Sequence, residues 1–223
     1  MSLRGRLVGG WVADPLWGSF YDWMVEHPGA GGAAWRLGMG SDLRRLYDTA
    51  AESGRLPAGS RVLDVPCGGG VALRGLRPGQ GISYVATDIS PRMLARTEDA
   101  ARQRGVADQV TTALADVAAL PFEDASFDLV VTLTGLHCFP DPRAAVLEMV
   151  RVLRPGARLV GSAVLTGTGP RFAPLLRGGR LAHLIGPSGS AGDVRRWLTE
   201  AGLADVRVDV AGALGYFRGV RAG

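Results

Sequence analysis

The stretch Arg61–Gly70, RVLDVPCGGG, decides the fold. Val62, Leu63 and Val65 around Asp64 make a short apolar run with the pattern of a buried strand. The residues from Pro66 to Gly70 carry no bulky side chain, so the chain turns sharply there and leaves backbone N–H groups free to face a ligand. Alone, the cluster carries little weight. The 223 residues include 33 glycines, and many of them mark only turns.

Downstream the pattern alternates between strand and helix. Val71–Leu76 has room for a short helix before Pro78 and Gly79 stop it. Ser83–Ile89, SYVATDI, is a second strand that ends in Asp88, eighteen residues past Gly70. That is near the spacing at which a nucleotide-binding βαβ unit sets an acid on ribose hydroxyls. Ser90 caps a helix with Pro91 at its first position. A third strand, Val110–Ala115, ends at Asp116, and a fourth, Phe127–Thr134, leads into the loop Gly135-Leu136-His137-Cys138-Phe139-Pro140. Asp141 and Pro142 start a helix that Pro155 and Gly156 end. Arg158–Leu165 is a fifth strand and Val194–Ala201 a helix. The runs Val206–Val210 and Leu214–Val220 are joined by only Ala211, Gly212 and Ala213, which forces an antiparallel hairpin. The expected architecture is α/β: a Rossmann-like, doubly wound, mostly parallel sheet of seven strands with a C-terminal antiparallel hairpin.

Upstream, residues 1–57 form an appendage with Trp11, Trp17, Trp23 and Trp35. Within it, Ser41–Ser53 places Leu43, Leu46, Tyr47 and Ala50 at helical spacing behind a Ser41 or Asp42 cap, as expected of a helix packed on the sheet. Residues 166–190 are longer than an ordinary connection and read as a functional insertion.

The net charge of +4 invites a nucleic-acid reading, yet the chain has neither Lys nor Asn, so its basicity is arginine of a GC-rich composition, scattered along the sequence. Cys67 and Cys138 make neither a disulfide framework nor a metal spacing, and a reducing cytoplasm fits. After Arg4 and Arg6 the apolar stretch is broken by Gly9, Gly10, Asp14 and Pro15, the pattern of neither a signal peptide nor a span.

Four strand ends thus carry polar or small residues: Asp64 with the glycines, Asp88, Asp116, and Thr134 to Phe139. In such a sheet the ligand sits beyond these ends. Taken in order, VLDVPCGGG, TDISPRML, ADVAALPFEDASFDLVV, LHCFPDP and LRPGARL resemble the motifs of class I S-adenosylmethionine-dependent methyltransferases, and within them the type 11, quinone-biosynthesis-like group. The resemblance runs from Val62 to the C-terminus and implies a methyltransferase domain over 58–223, with residues 1–57 as a lid. It implies that Asp64, Pro66, Cys67, Gly68 and Gly70 border the methionine end of S-adenosyl-L-methionine, and that Asp88 accepts from both ribose hydroxyls. Ile89 and Met93 would pack on the adenine, Asp116 and the Val117 N–H would read its edge, and Thr134 would complete the cofactor set. Pro66 departs from the family, standing where its first glycine usually lies; proline fixes φ near about −65° and removes an N–H donor.

The resemblance implies methyl transfer to a small, apolar or aromatic acceptor, with no metal. His137 is the candidate general base, or else a structural loop histidine. Trp17, Phe20, Tyr21 and Trp23 would cover the acceptor, with Phe172, Leu175, Leu176, Leu181 and Leu184 opposite and Arg171, Arg177 and Arg180 at the rim; packing alone would also account for these aromatics. No nucleic-acid partner and no stable membrane association are expected of a monomer or homodimer. Methylation of RNA or protein, a non-catalytic cofactor-binding regulator that Pro66 keeps open, and a nicotinamide-binding Rossmann protein are the competing readings.

Overall fold

The structure, a computed structural model, describes Tyr21 and residues 23–223. Its strands are β1 (Arg61–Asp64), β2 (Ser83–Asp88), β3 (Val110–Leu114), β4 (Phe127–Thr132), β5 (Leu153–Val164), β6 (Leu203–Ala211) and β7 (Leu214–Arg221). They form one seven-stranded sheet in the order β3-β2-β1-β4-β5-β7-β6. The first five are parallel, and β7 runs antiparallel to both β5 and β6, as the short 211–213 link requires.

Alternation along the strands builds two apolar layers, because successive side chains leave a strand on opposite faces. Val62, Tyr84 and Leu129 face one layer, which is completed by α1 (Ala30–Met39), α2 (Leu43–Ala50) and α3 (Pro91–Gln103) through Trp35, Leu46 and Leu94. Leu63, Val85 and Val130 face the other, against α4 (Pro142–Arg151) and, beyond α5 (Ala173–Leu181), α6 (Ala191–Glu200). The described part of the N-terminal segment therefore belongs to the core of the sheet. Asp42 caps α2 by accepting from Arg44 N–H, and Ser41 hydroxyl instead meets the Tyr216 hydroxyl at 3.1 Å. The Ala213 N–H donates to Met39 O at 2.8 Å, tying the end of α1 to the β6–β7 turn.

The expected short helix is a 3₁₀ helix over Val71–Gly75, whose Gly75 lies against the end of α2. Two local expectations are corrected. Pro155 and Gly156 lie inside β5: pairing of Leu153 with Phe127 captures the chain as soon as α4 ends. Ser90 occupies the N-cap of α3 without a side-chain cap; its N–H is instead held by Asp88 Oδ1 at 2.9 Å. The loop before β4 is fixed by Arg151, which donates to Glu148, Asp124 and the carbonyls of Leu120 and Phe122.

Asp64 ends β1 facing inward. It is 1% exposed, and its Oδ2 accepts from the Tyr84 hydroxyl at 2.9 Å. Burial pushes its carboxyl up to about 8; the Tyr84 hydrogen bond opposes the shift and Asp88 adds to it. Burial thus favours the protonated form of Asp64, and its Oδ1 has no hydrogen-bond partner among the described residues.

Two outcomes test this packing. Gly75→Ala would bring a methyl within 1.9 Å of Ala50 O. It should cost about 1–3 kcal/mol or more, read as a lower urea midpoint at unchanged slope. A folded-state pKa above the unfolded value means that the native chain holds a proton the unfolded chain has lost, so this group erodes stability as pH rises from about 4 to about 8. In Asp64→Asn that part of the slope should vanish in denaturation curves across this range, whatever the offset.

Candidate active site

The site begins with the turn after β1, pinned on both flanks. Val65 N–H donates to Val131 O at 3.0 Å and Cys67 N–H to Thr87 O at 2.8 Å. The Thr97 hydroxyl of α3 reaches Gly68 O at 2.8 Å, and Gly68 N–H donates to Asp88 Oδ2 at 3.1 Å. With one oxygen on Gly68 and the other on Ser90, the Asp88 carboxylate is fixed in direction, and each oxygen keeps a lone pair for a further donor. Asp88 is 7% exposed, and burial raises its carboxyl above the usual range against the pull of those backbone N–H groups. Asp116 Oδ1 accepts from Ala118 N–H at 2.9 Å, capping the turn Val117–Ala119 and aligning it with the end of β3.

A cavity of about 680 Å³ opens above these strand ends. Of the residues expected at a cofactor, Pro66, Cys67, Gly68, Asp88, Ile89, Met93, Asp116, Val117 and Thr134 line it together. Asp64 and Gly70 do not. Asp64 lies beneath the turn on Tyr84, and Gly70 faces α3, where a Cβ would stand 3.1–3.3 Å from Leu73, Ala100 and Thr97. Gly70 thus serves close packing of α3 against the turn, and its neighbour Gly69 borders the cavity.

The opposite wall differs more from expectation. Tyr21 lines the cavity, its hydroxyl 2.7 Å from Thr134 Oγ1, while Trp17 and Phe20 lie outside the described residues. Phe172 does not line it: the ring packs over Gly40, with the Arg171 guanidinium 5.4 Å from its centroid. Leu181 points to solvent, Leu176 packs on the core, and Trp23 stacks on His27. Leu175 and Leu184 do line the cavity, joined by Pro174 and Ile185 of the 166–190 segment and by Met24, Trp35 and Met39. The last two were missed, although Ala34, Trp35, Gly38 and Met39 recur at i, i+1, i+4 and i+5, the signature of one helix face.

His137 sits in the turn Leu136–Cys138 and lines the cavity at 5% exposure. Its Nδ1 accepts from Val164 N–H at 3.2 Å, and burial pushes its imidazole down to about 4. A ring whose accepting nitrogen is occupied and which burial pushes towards its neutral form favours the structural reading of this loop histidine over the general-base one. Among the described residues no group of three or more His, Cys, Asp or Glu is placed to hold a metal, and no helix is long and apolar enough to cross a membrane.

The residues present fit an adenosyl cofactor. A fixed carboxylate with spare lone pairs and a second acid flank an apolar slot of Ile89, Met93 and Val117, and Gly68 opens directly onto free space. A family described as a methyltransferase domain matches residues 63–161. A demethylmenaquinone methyltransferase of Mycobacterium sp. (strain KMS) is 36% identical over 187 residues, 79% of this chain and 76% of that protein. The 27-O-demethylrifamycin SV methyltransferase of Amycolatopsis mediterranei (strain S699) is 38% identical over 115 residues, 52% of this chain and 42% of that one. The chain spans about half the length of the first such relatives it matches. Geranyl diphosphate methyltransferase, solved with GPP and sinefungin, shares the fold at a TM-score of 0.67 and 15% identity, over 81% of this chain and 79% of that one. On its sequence relatives, its strand order and the acids at its strand ends, the chain belongs to the class I S-adenosylmethionine-dependent methyltransferases.

Proposed function

We propose that the protein methylates a small, largely apolar acceptor, with S-adenosyl-L-methionine as donor. The observation that carries this reading is one cavity with two unlike poles. One pole holds Asp88, Asp116 and the turn of Pro66–Gly69; the other is Tyr21, Met24, Trp35, Leu175, Leu184 and Ile185. Its volume suits one cofactor and a modest second molecule. The relatives named for demethylmenaquinone and 27-O-demethylrifamycin SV favour a small-molecule acceptor over RNA or protein.

When bound, the cofactor supplies an electrophilic methyl group already activated by the positive charge on its sulfur. The chain's own part is alignment and exclusion of water, worth on the order of 7–11 kcal/mol at the limit. Asp88 would accept from the ribose hydroxyls, Asp116 and the Val117 N–H would meet the adenine edge, and Ile89 and Met93 would hold its faces. The turn at Cys67 and Gly68, with Thr134, would border the methionine end, and Pro66 contributes shape there without a donor. The N-terminal segment and residues 166–190 act as the lid over a methyltransferase domain that begins near residue 58. Tyr21 closes one side through Thr134, and the Gly186 N–H closes the other by donating to His137 O at 2.7 Å.

Calorimetric titration should show saturable binding of S-adenosylmethionine and none of NAD; the reverse result would sink this reading. Asp88→Ala should weaken cofactor binding by at least about tenfold, because charged hydrogen bonds are lost. Only the ionised carboxylate accepts from both hydroxyls, so affinity should hold at high pH and fall on acidification. With the carboxyl raised by burial, that fall should start above the usual carboxylate range; an affinity flat down to that range argues against the role. A screen of phenols, quinols, amines and RNA with radiolabelled cofactor identifies the acceptor class, and labelling of RNA alone would refute the small-molecule assignment.

A further inference from the structure

The described lining of the cavity contains very little with which to remove a proton. Its titratable lining residues, among those described, are Tyr21, Cys67, Asp88, Asp116, His137 and Cys138. Asp88 and Asp116 stand at the cofactor pole. Burial raises the Cys67 thiol well above its ordinary value and pushes Cys138 up to about 12, so neither is a thiolate near neutral pH. The Tyr21 hydroxyl is engaged with Thr134.

His137 is built to do the opposite of a base. The backbone N–H of Val164, at the end of β5, donates into Nδ1, which places the ring proton of the neutral imidazole on Nε2. That nitrogen makes no hydrogen bond with a described residue, and it is not among the sealed, unpartnered polar atoms, which include Asp64 Oδ1 and Thr132 Oγ1. The ring is held from both sides of its backbone as well: Cys138 N–H returns to Gly135 O at 2.7 Å, and Gly186 N–H donates to His137 O. A held N–H donor without a described partner is thus left on a residue that lines the cavity, and its backbone is tied to Gly186, next in sequence to the cavity residues Leu184 and Ile185.

We propose that His137 is a neutral hydrogen-bond donor, presenting its Nε2–H to an oxygen of the acceptor, and that the acceptor is an apolar phenol or enol taken up as its anion. The proton of the acceptor leaves to bulk water before binding, and no protein group changes its protonation state. The donor gives the largely apolar described lining one point of recognition, favouring an oxyanion over an alcohol of the same shape, whose proton no described lining residue is placed to remove. This assignment rests on the methyl-transfer reading for its purpose, but its test does not depend on turnover.

Nitrogen NMR of the protein selectively labelled at histidine should show His137 protonated on Nε2 alone, unchanged between about pH 5 and 8. An imidazole that titrates in this range, or one protonated on Nδ1, overturns the assignment. The second measurement uses 4-nitrophenol, whose anion is coloured, with the protein saturated in S-adenosylhomocysteine. The apparent pKa of the bound phenol should be lower in the wild type and in His137→Gln, which keeps an N–H donor, than in His137→Leu by at least about one unit. Equal values in all three, or no saturable binding to the wild type, refute the oxyanion class. Calorimetry with S-adenosylmethionine accompanies each protein. Equal cofactor affinity across the variants shows an intact site, whereas a wild type that binds no cofactor defeats the methyltransferase reading and leaves the tautomer result standing by itself.

Discussion

The hydrogen bond from Gly68 N–H to Asp88 Oδ2 is the constraint on which the site depends. It joins the turn after β1 to the end of β2, two segments twenty residues apart in sequence, and it aims a carboxylate into the cavity. The same carboxylate holds Ser90 N–H and so sets the start of α3, whose Thr97 returns to the turn at Gly68 O. A closed loop of contacts therefore runs from turn to strand to helix and back. Gly70 permits the last step, since a side chain there would press on α3 at Thr97 and Ala100.

Around this floor the two acids and the imidazole of the described lining are oriented by backbone partners, whereas Tyr21 and Thr134 hold each other through their hydroxyls. Asp88 and Asp116 are held by N–H groups of their own strand-end turns, and His137 by Val164 of a neighbouring strand. Preorganisation of this kind matters most where water is excluded, because a dipole already aligned does not have to reorganise as the reaction proceeds. Burial has a cost in the same place. Asp64 and His137 are both driven towards their neutral forms, and the low dielectric that strengthens a fixed donor also removes a base.

The described part of the N-terminal segment is less an attachment than a continuation of the core. Trp35 reaches the cavity from α1 and is 1% exposed, and α2 packs the same layer as β1 and β2. Facing it, the 166–190 segment presents Pro174, Leu175 and Ile185, and its ends are drawn together by Thr166 N–H on Gly189 O at 3.0 Å. These two walls come from opposite ends of the chain and share no motif.

Local sequence determined the order of strands and helices, the reversal at Ala211–Ala213 and the acids Asp88 and Asp116 at strand ends, because strand periodicity, short links and capping chemistry act over a few residues. The turn at Pro66–Gly69 was legible for the same reason. What the motif did not carry was direction. Asp64 and Gly70 stand beside true cavity residues in sequence, yet strand alternation and the packing of α3 turn them away. Phe172 and Leu181 resembled wall residues by composition, but the helix between them shows the cavity Leu175 and Gly178 instead. The protonation of His137 was wholly a tertiary matter: it depends on a backbone N–H twenty-seven residues away and on burial, neither of which a linear pattern contains.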